Sequence, residues 1–313
     1  MHTSKSSRRS FIKTAALTGA GAMILKSGNS GASYRGNADF DDITLAVLQI
    51  YPDQPTVEGN VQKIVDRVLK TAEKGANLVV SAELQVNIGA YSKEETEKAI
   101  QTIPGPATEM VAAASRKANT YVIFGMIEKE GDNLYNALAI TGPKGNLVAK
   151  YRKAHLFSSE NKRFAKGNNL CIFDTEFGKI GATICYDIMY PEYFRAIAAT
   201  PVGIIAHSTA MNSDEITDTF GWSASMYHTL VRARSFENQV YIPSSNMCGV
   251  FKSRYYFAHS CIYTPWGMPA GTLGDAEGTL VARTEFKRLK EWQKIAPYWE
   301  DRRPELYDKI LDF

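Results

Sequence analysis

The chain has 313 residues, 44% apolar, 22% charged and 11% aromatic, which is enough apolar sequence for a full core and excludes disorder as its main state. Its 36 lysines and arginines against 33 aspartates and glutamates leave a formal charge of +3 with no basic run, which argues against a nucleic-acid partner. The four cysteines, Cys171, Cys185, Cys248 and Cys261, form no C-x-x-C pair and are too few for a disulfide scaffold, which argues against zinc.

Residues 1–32 read as a secretory signal: Ser7-Arg8-Arg9-Ser10-Phe11-Ile12-Lys13, an uncharged stretch from Thr14 to Leu25, then the small-x-small pattern Ser30-Gly31-Ala32. The uncharged stretch is 12 residues long, against roughly 20 for a spanning helix, and contains two glycines, so no permanent membrane anchor is expected. Paired arginines in this order resemble the signal of the twin-arginine export route, whose passengers cross already folded. That implies the export machinery as a partner, a mature chain starting near Ser33, and a periplasmic or secreted location. No cysteine near Ser33 offers a lipid attachment point, and a passenger that folds before crossing need not use disulfides.

The β-rich run Ile43–Ile50 predicts a first buried strand. Val61, Ile64, Val65, Val68, Leu69 and Ala72 then make one apolar helix face that ends at Gly75. A strand over Asn77–Glu83, a helix over Ala107–Lys117 and a strand over Tyr121–Ile127 complete a β-α-β-α-β order, which implies a parallel or mixed sheet covered by helices. From Asn133 the pattern turns to hairpins, most clearly at Gly142-Pro143-Lys144-Gly145-Asn146. Strands follow at Leu170–Phe173 and Lys179–Ile184, a short helix at Pro191–Ala199, and a strand at Gly203–Ala206. A long helix over Phe220–Asn238 leads into the strand Val240–Ser244, and two more strands flank the turn Thr264-Pro265-Trp266-Gly267. No linker interrupts residues 42–286, which favours one domain, and the charged, aromatic residues 287–313 read as a C-terminal arm that either wraps a partner subunit or is solvated.

Reactive groups in open α/β sheets gather at the carboxyl ends of strands, and three strand ends carry them here. Glu83 ends the apolar run Leu78-Val79-Val80-Ser81-Ala82; an ionised carboxylate there needs a partner or a raised pKa, and it is a candidate general base. Lys153 closes the cluster Lys150-Tyr151-Arg152-Lys153, where it can donate to a developing oxyanion and supply positive charge to a thiolate. Cys185 stands between the small-residue strand Ile180-Gly181-Ala182-Thr183-Ile184 and a helix start at Pro191, the geometry of a nucleophile elbow. The helix dipole and free N–H groups there are expected to favour thiolate over thiol. Taken singly, each fragment reads more readily as structure: a salt-bridged glutamate, a solvated basic face, a core thiol.

Together, a glutamate, a lysine and a cysteine at successive strand ends, 70 and 32 residues apart, resemble the catalytic set of the nitrilase superfamily of carbon–nitrogen hydrolases. The matching segments are Ser81-Ala82-Glu83, Tyr151–Phe157, and Ile184-Cys185-Tyr186-Asp187 with Tyr190-Pro191-Glu192. Two further segments agree, Leu230–Gln239, and His259–Ile262 running into Pro265-Trp266-Gly267. The likeness spans about residues 42–286, so the hydrolase domain is placed at 33–286. It implies an α/β fold, a four-layer α-β-β-α sandwich with two stacked mixed sheets, assembled as a homodimer or higher homo-oligomer through the layer bearing the nucleophile helix. It also implies Cys185 as nucleophile, Glu83 as general base, Lys153 as oxyanion stabiliser together with the Tyr186 backbone N–H, and Glu160 as a residue that positions substrate and assists proton transfer. Around Glu160 the loop has Lys166-Gly167 where Pro-Gly is more usual.

The chemistry so implied is hydrolysis of a small-molecule amide through a cysteine thioester, with no metal or organic cofactor. Tyr186-Asp187 after the cysteine favours amides over nitriles, since nitrile-cleaving members carry Trp-Glu there, and Met189 stands where such amidases commonly have arginine. An N-carbamoyl hydrolase, a thioester-mediated N-acyltransferase and a binding protein on an inactive scaffold are the competing readings. Substrate-contact candidates beside the strand ends are Asn87, Tyr91, Phe157, Tyr190, Met211 and Asn212, whose aromatic members imply an apolar pocket for part of the ligand. His155 and His207 can reach a substrate but read more simply as satisfied core histidines.

Overall fold

The strands form where apolar residues alternate between two faces, and most helices between them present one apolar stripe. The structure, a computed structural model, describes residues 40–53, 56–87, 92–251 and 254–307. The signal segment 1–32, Tyr91 and the last residues of the arm, 308–313, lie outside these. In chain order the strands are β1 (Thr44–Gln49), β2 (Leu78–Val80), β3 (Tyr121–Glu130), β4 (Asn133–Thr141), β5 (Leu147–Arg152), β6 (Cys171–Thr175), β7 (Gly178–Ile184) and β8 (Val202–Ser208). They continue as β9 (Asn212–Ser213), β10 (Ile242–Ser245), β11 (Cys248–Phe251), β12 (Arg254–Phe257), β13 (Cys261–Tyr263), β14 (Pro269–Thr272) and β15 (Gly278–Arg283). The helices are α1 (Val57–Ala72), α2 (Lys93–Ala99), α3 (Pro106–Ala118), α4 (Pro191–Ala198), α5 (Glu215–Asp218), α6 (Ala224–Asn238) and α7 (Phe286–Ile295).

Two six-stranded sheets carry the fold, in the orders β15-β1-β2-β3-β4-β5 and β14-β13-β10-β8-β7-β6. β1, β2 and β3 are parallel in the first, β7, β8 and β10 in the second, and the outer strands are antiparallel, so both sheets are mixed. Alternation sorts the core into three layers. Leu45 and Val47 of β1, Leu78 and Val80 of β2, and Tyr121 and Ile123 of β3 meet Ile180, Ala182 and Ile184 of β7 and Ile204 and Ala206 of β8 between the sheets. The intervening residues Ala46, Leu48, Val79, Val122 and Phe124 face α1 and α3 through Val61, Ile64, Val68 and Val111. On the far side Ile205 and Ile242 pack under α4 and α6 through Phe194, Ile197, Tyr227 and Val231. The result is the four-layer α-β-β-α sandwich, in which each fully buried Val, Leu, Ile or Phe stabilises by about 1.5–3 kcal/mol.

Several elements differ from the sequence expectation. The strand expected to run to Glu83 stops at Val80, because residues 81–87 leave the sheet as turns. α6 starts at Ala224 rather than Phe220: Gly221 takes φ +73° in the preceding turn, and Ser223 caps the helix by accepting from the Met226 N–H at 3.4 Å. The edge strand β15 and the small sheet β11-β12-β9 carry no strong alternation in sequence and are additions. The C-terminal arm packs on its own chain as far as it is described, with Leu289 joining Phe286 in the inter-sheet core and Trp299 in the α4–α6 layer. Among the described residues no helix is long and apolar enough to cross a membrane.

Gly125 in β3 is where the turns 81–87 touch the sheet. A Cβ there would stand 2.4 Å from the Leu84 nitrogen and 2.7 Å from the Ala82 oxygen, both backbone atoms that cannot step aside cheaply. G125A is therefore expected to destabilise by about 1–3 kcal/mol. G274A, at a position with open space around it, should change the denaturant midpoint by much less, and equal midpoints for the two variants would refute the close-approach argument.

Candidate active site

Glu83, Lys153 and Cys185 leave their strands at the same end of the sandwich, and the sequence explains how each is aimed. In β5 the alternation turns Lys150 and Arg152 outward, where both pair with Glu128 at 2.6 and 2.7 Å, and turns Tyr151 and then Lys153 inward. The basic cluster thus splits, Lys150 and Arg152 pairing with the buried Glu128 and Lys153 pointing to the site. The Lys153 N–H donates to the Asn136 carbonyl at 2.8 Å, and its own carbonyl accepts from the Gly167 N–H at 2.9 Å. A Cβ on Gly167 would lie 2.0 Å from the Arg152 oxygen, so the glycine of the Lys166-Gly167 pair is required for this approach. After β2 the chain turns at Leu84, φ +51°, with the Glu83 N–H held by the Thr209 carbonyl at 3.3 Å. Cys185 opens a short 3-10 turn, Cys185–Met189, with φ +42°, a left-handed conformation that costs a non-glycine residue about 1–3 kcal/mol.

Buried Asp187 holds that strained turn in place. Its Oδ2 accepts from the Ile184 N–H at 2.9 Å and the Tyr151 hydroxyl at 2.7 Å, while Oδ1 accepts from the His155 N–H at 3.1 Å and meets His155 Nδ1 at 2.8 Å. One carboxylate therefore ties the cysteine turn to the lysine segment. From the other side Arg234 of α6 donates to the Ile188 carbonyl at 2.9 Å, which accounts for an arginine buried within Leu230–Gln239.

The charged groups converge tightly. Lys153 Nζ donates to Glu83 Oε1 at 2.7 Å and to Glu160 Oε2 at 2.8 Å. Asn136 Nδ2 donates to the same Glu83 oxygen at 2.7 Å and to Glu160 Oε1 at 2.9 Å, and the Ala210 N–H donates to Glu83 Oε2 at 2.9 Å. Burial by itself pushes the Lys153 ammonium down, but Glu83, with Cys185 and Glu160 behind it, holds it well above its ordinary value. Burial and then the Glu83 carboxylate push the Cys185 thiol up, against the opposing pull of Lys153. The direction is opposite to the thiolate expected from the helix start at Pro191: burial first, and then the neighbouring carboxylate, favour the thiol.

The triad faces a cavity of about 260 Å³ lined by Glu83, Lys153, Glu160, Cys185, Tyr186, Phe157, Met189, Met211 and Asn212. Phe157 is 37% exposed at its mouth, 5.0 Å from the Tyr186 ring and 5.6 Å from Trp222. Tyr190 does not line this cavity; its ring is stacked 3.9 Å from His155 behind Tyr186. Asn87 is structural, donating to the Ala99 carbonyl and accepting from the Ile127 N–H at 2.6 Å. His207 is buried, bonded to Thr183 Oγ1 at 2.9 Å, and pushed down to about 3 by burial and then Lys153, so it stays neutral. Tyr91 lies outside the described residues.

Sequence reasoning missed Asn136, the donor shared by both glutamates, and the lining residues Arg254 and Tyr256 from β12 with Asp214, Thr217 and Trp222. Asn136 carried one signal, a lone amide in the apolar strand Ala137-Leu138-Ala139-Ile140. Arg254 carried none, because the small sheet that presents it was not anticipated.

Comparison with known proteins agrees with this geometry. Residues 44–294 match the model of the carbon–nitrogen hydrolase family. The omega-amidase NIT2-A of Xenopus laevis is 31% identical over 267 residues, covering 81% of this chain and 93% of that protein. The human omega-amidase NIT2 is 30% identical over 261 residues, covering 79% of this chain and 91% of its own. Among solved structures, Saccharomyces cerevisiae Nit3 of the nitrilase superfamily aligns with TM-score 0.72 and 23% identity over 82% of this chain and 94% of its own. An amidase of Nesterenkonia sp. AN1, shown with the acetamide moiety of fluoroacetamide on its active-site cysteine, aligns with TM-score 0.69 and 23% identity over 85% and 95%. Matched from its first strand to its last long helix, this chain belongs to the carbon–nitrogen hydrolase family.

Proposed function

We propose that the protein is a cysteine amidase that hydrolyses a small-molecule amide through an acyl-thioester on Cys185, releasing a carboxylic acid and ammonia or an amine. The observation that carries this reading is one thiol set beside a hydrogen-bonded Glu83–Lys153–Glu160 cluster in an open cavity. The omega-amidase relatives support the amide, and the cysteine adduct of the Nesterenkonia amidase supports the covalent route.

Because the resting thiol is pushed up, attack needs a base at the moment of reaction, and Glu83 is placed for it. Glu83 takes the thiol proton as sulfur attacks the amide carbon. The new oxyanion is met by Lys153, which has three N–H donors and commits two to carboxylates. The Tyr186 backbone N–H supplies a second donor. The proton on Glu83 passes to the departing nitrogen, the C–N bond breaks, and a thioester remains. Glu83 then deprotonates water, which attacks the thioester and frees the acid as sulfur recovers the proton. Glu160, sharing Lys153 and Asn136 with Glu83, positions substrate and holds the lysine charged. Phe157, Met211 and Asn212 contact the acyl part, and Arg254 adds a guanidinium to the same lining.

Ammonia release across aliphatic amides, acid amides, N-carbamoyl compounds and nitriles tests the reading. An amide should be turned over, C185A should lose at least about a thousandfold in rate, and mass spectrometry of quenched enzyme should find the acyl group on Cys185. Turnover of nitriles alone, or full activity in C185A, would overturn it.

The reading places the enzyme in the periplasm or beyond, delivered folded by the twin-arginine route, on the strength of Arg8-Arg9 and the segment that follows. Fractionated cells should yield a mature chain starting near Ser33 outside the cytosol, and the paired changes Arg8→Lys and Arg9→Lys should trap the full-length chain inside. A wild-type product that stays cytosolic and uncleaved refutes the export assignment.

A further inference from the structure

Thr209 is the first residue after β8, one before Ala210, whose N–H holds Glu83. β7 and β8 are parallel, with Thr183 opposite His207 and Ile184 opposite Ser208, so the next positions in register are Cys185 and Thr209. Side chains alternate across that pair. Ser208 reaches the first sheet, donating from Oγ to the Ser81 carbonyl at 2.7 Å, while Thr183 and His207 bond each other at 2.9 Å on the opposite face. Cys185 then leaves the strand in its left-handed 3-10 turn, so it is adjacency at the two strand ends, and not alternation, that brings Cys185 and Thr209 together.

The Thr209 hydroxyl is fully buried and has no hydrogen-bond partner, sulfur included, among the described residues, yet it is a neighbouring donor that pulls the Cys185 thiol down. Its backbone is already committed, the N–H to the Ser245 carbonyl at 2.8 Å and the carbonyl to the Glu83 N–H at 3.3 Å, so only the hydroxyl is left to serve the site.

We infer that Thr209 is a further catalytic residue, whose hydroxyl donates a hydrogen bond to the Cys185 sulfur as the thiol gives up its proton. A neutral thiol is a weak acceptor and leaves the hydroxyl unsatisfied; a thiolate is a strong one. The bond is therefore made in the reacting state and not in the resting one, which is the condition for lowering a barrier. No atom is transferred: the thiol proton still goes to Glu83, and Thr209 keeps its own. The pull of Thr209 on the thiol acts in the same direction as that of Lys153, and against burial and Glu83. The other ionisable groups that interact with this sulfur are Glu160 and Tyr227 from α6.

The inference rests on Cys185 being the nucleophile, so the test begins by mapping iodoacetamide alkylation in the full chain. Absence of label on Cys185 in the wild type would sink the nucleophile assignment itself. With that control in hand, T209V keeps the shape of the side chain and removes the hydroxyl. Both kcat/KM and the alkylation rate at every pH below the thiol's ionisation should fall roughly tenfold, the loss of one charge-assisted hydrogen bond, and T209S should restore most of each. Should T209V fail to fold, T209A is the hydroxyl deletion. Wild-type alkylation and turnover in the hydroxyl deletion, or equal losses in T209V and T209S, would overturn the role of Thr209 and leave Cys185 untouched.

Discussion

The buried ion pair between Lys153 and Glu83 is the constraint around which the rest is arranged. Taking an ammonium and a carboxylate out of water costs several kcal/mol per ion, and only close pairing with nearly complete hydrogen bonding returns it. Glu83 collects three donors, from Lys153, Asn136 and the Ala210 N–H, and Lys153 is shared with a second carboxylate, Glu160. These groups come from β4, the segments just after β2, β5 and β8, and the turn that holds Glu160, so the pair is fully satisfied only when both sheets are stacked in register. The same requirement explains the glycines at 125 and 167, which let backbone approach backbone where the charged side chains are held.

The cluster also sets the state of the thiol. A cysteine beside a compensated ion pair feels both partners, and here burial and the carboxylate prevail over the lysine. The protein thus keeps Cys185 protonated at rest and stores its readiness in geometry: a left-handed backbone at the nucleophile, fixed by the four contacts of Asp187 and by Arg234. Resting thiol and adjacent base make proton transfer part of the attack and not a step completed beforehand.

Most of the sandwich was legible in the sequence because its strands are long or bounded by clear turns, and because α1 and α3 show one apolar stripe between them. The three strand-end residues were legible as types in order. Their partners were not, since Asn136 lies 53 residues from Glu83 and Ala210 lies 127 from it, and no local pattern encodes contacts at such separations. Tyr190 was misplaced for a related reason: proximity to the cysteine in sequence puts it behind Tyr186, stacked on His155, once the 3-10 turn intervenes. Short strands such as β9, β11 and β12 have too few residues for alternation to show, so the wall they build around the cavity was invisible.

That wall separates two tasks. The ion pair, the thiol and their clamps hang on the two large sheets, whereas Arg254 and Tyr256 reach the cavity from β12 of the small three-stranded sheet. β12 touches neither large sheet through its ladder, pairing only with β11 and β9. Tyr256 is buried against Ala82 beside Glu83, whereas Arg254 is partly exposed, so substitutions at Arg254 can redraw what the cavity accepts while leaving the buried charges in place. The sandwich is in that sense a fixed engine with an exchangeable intake.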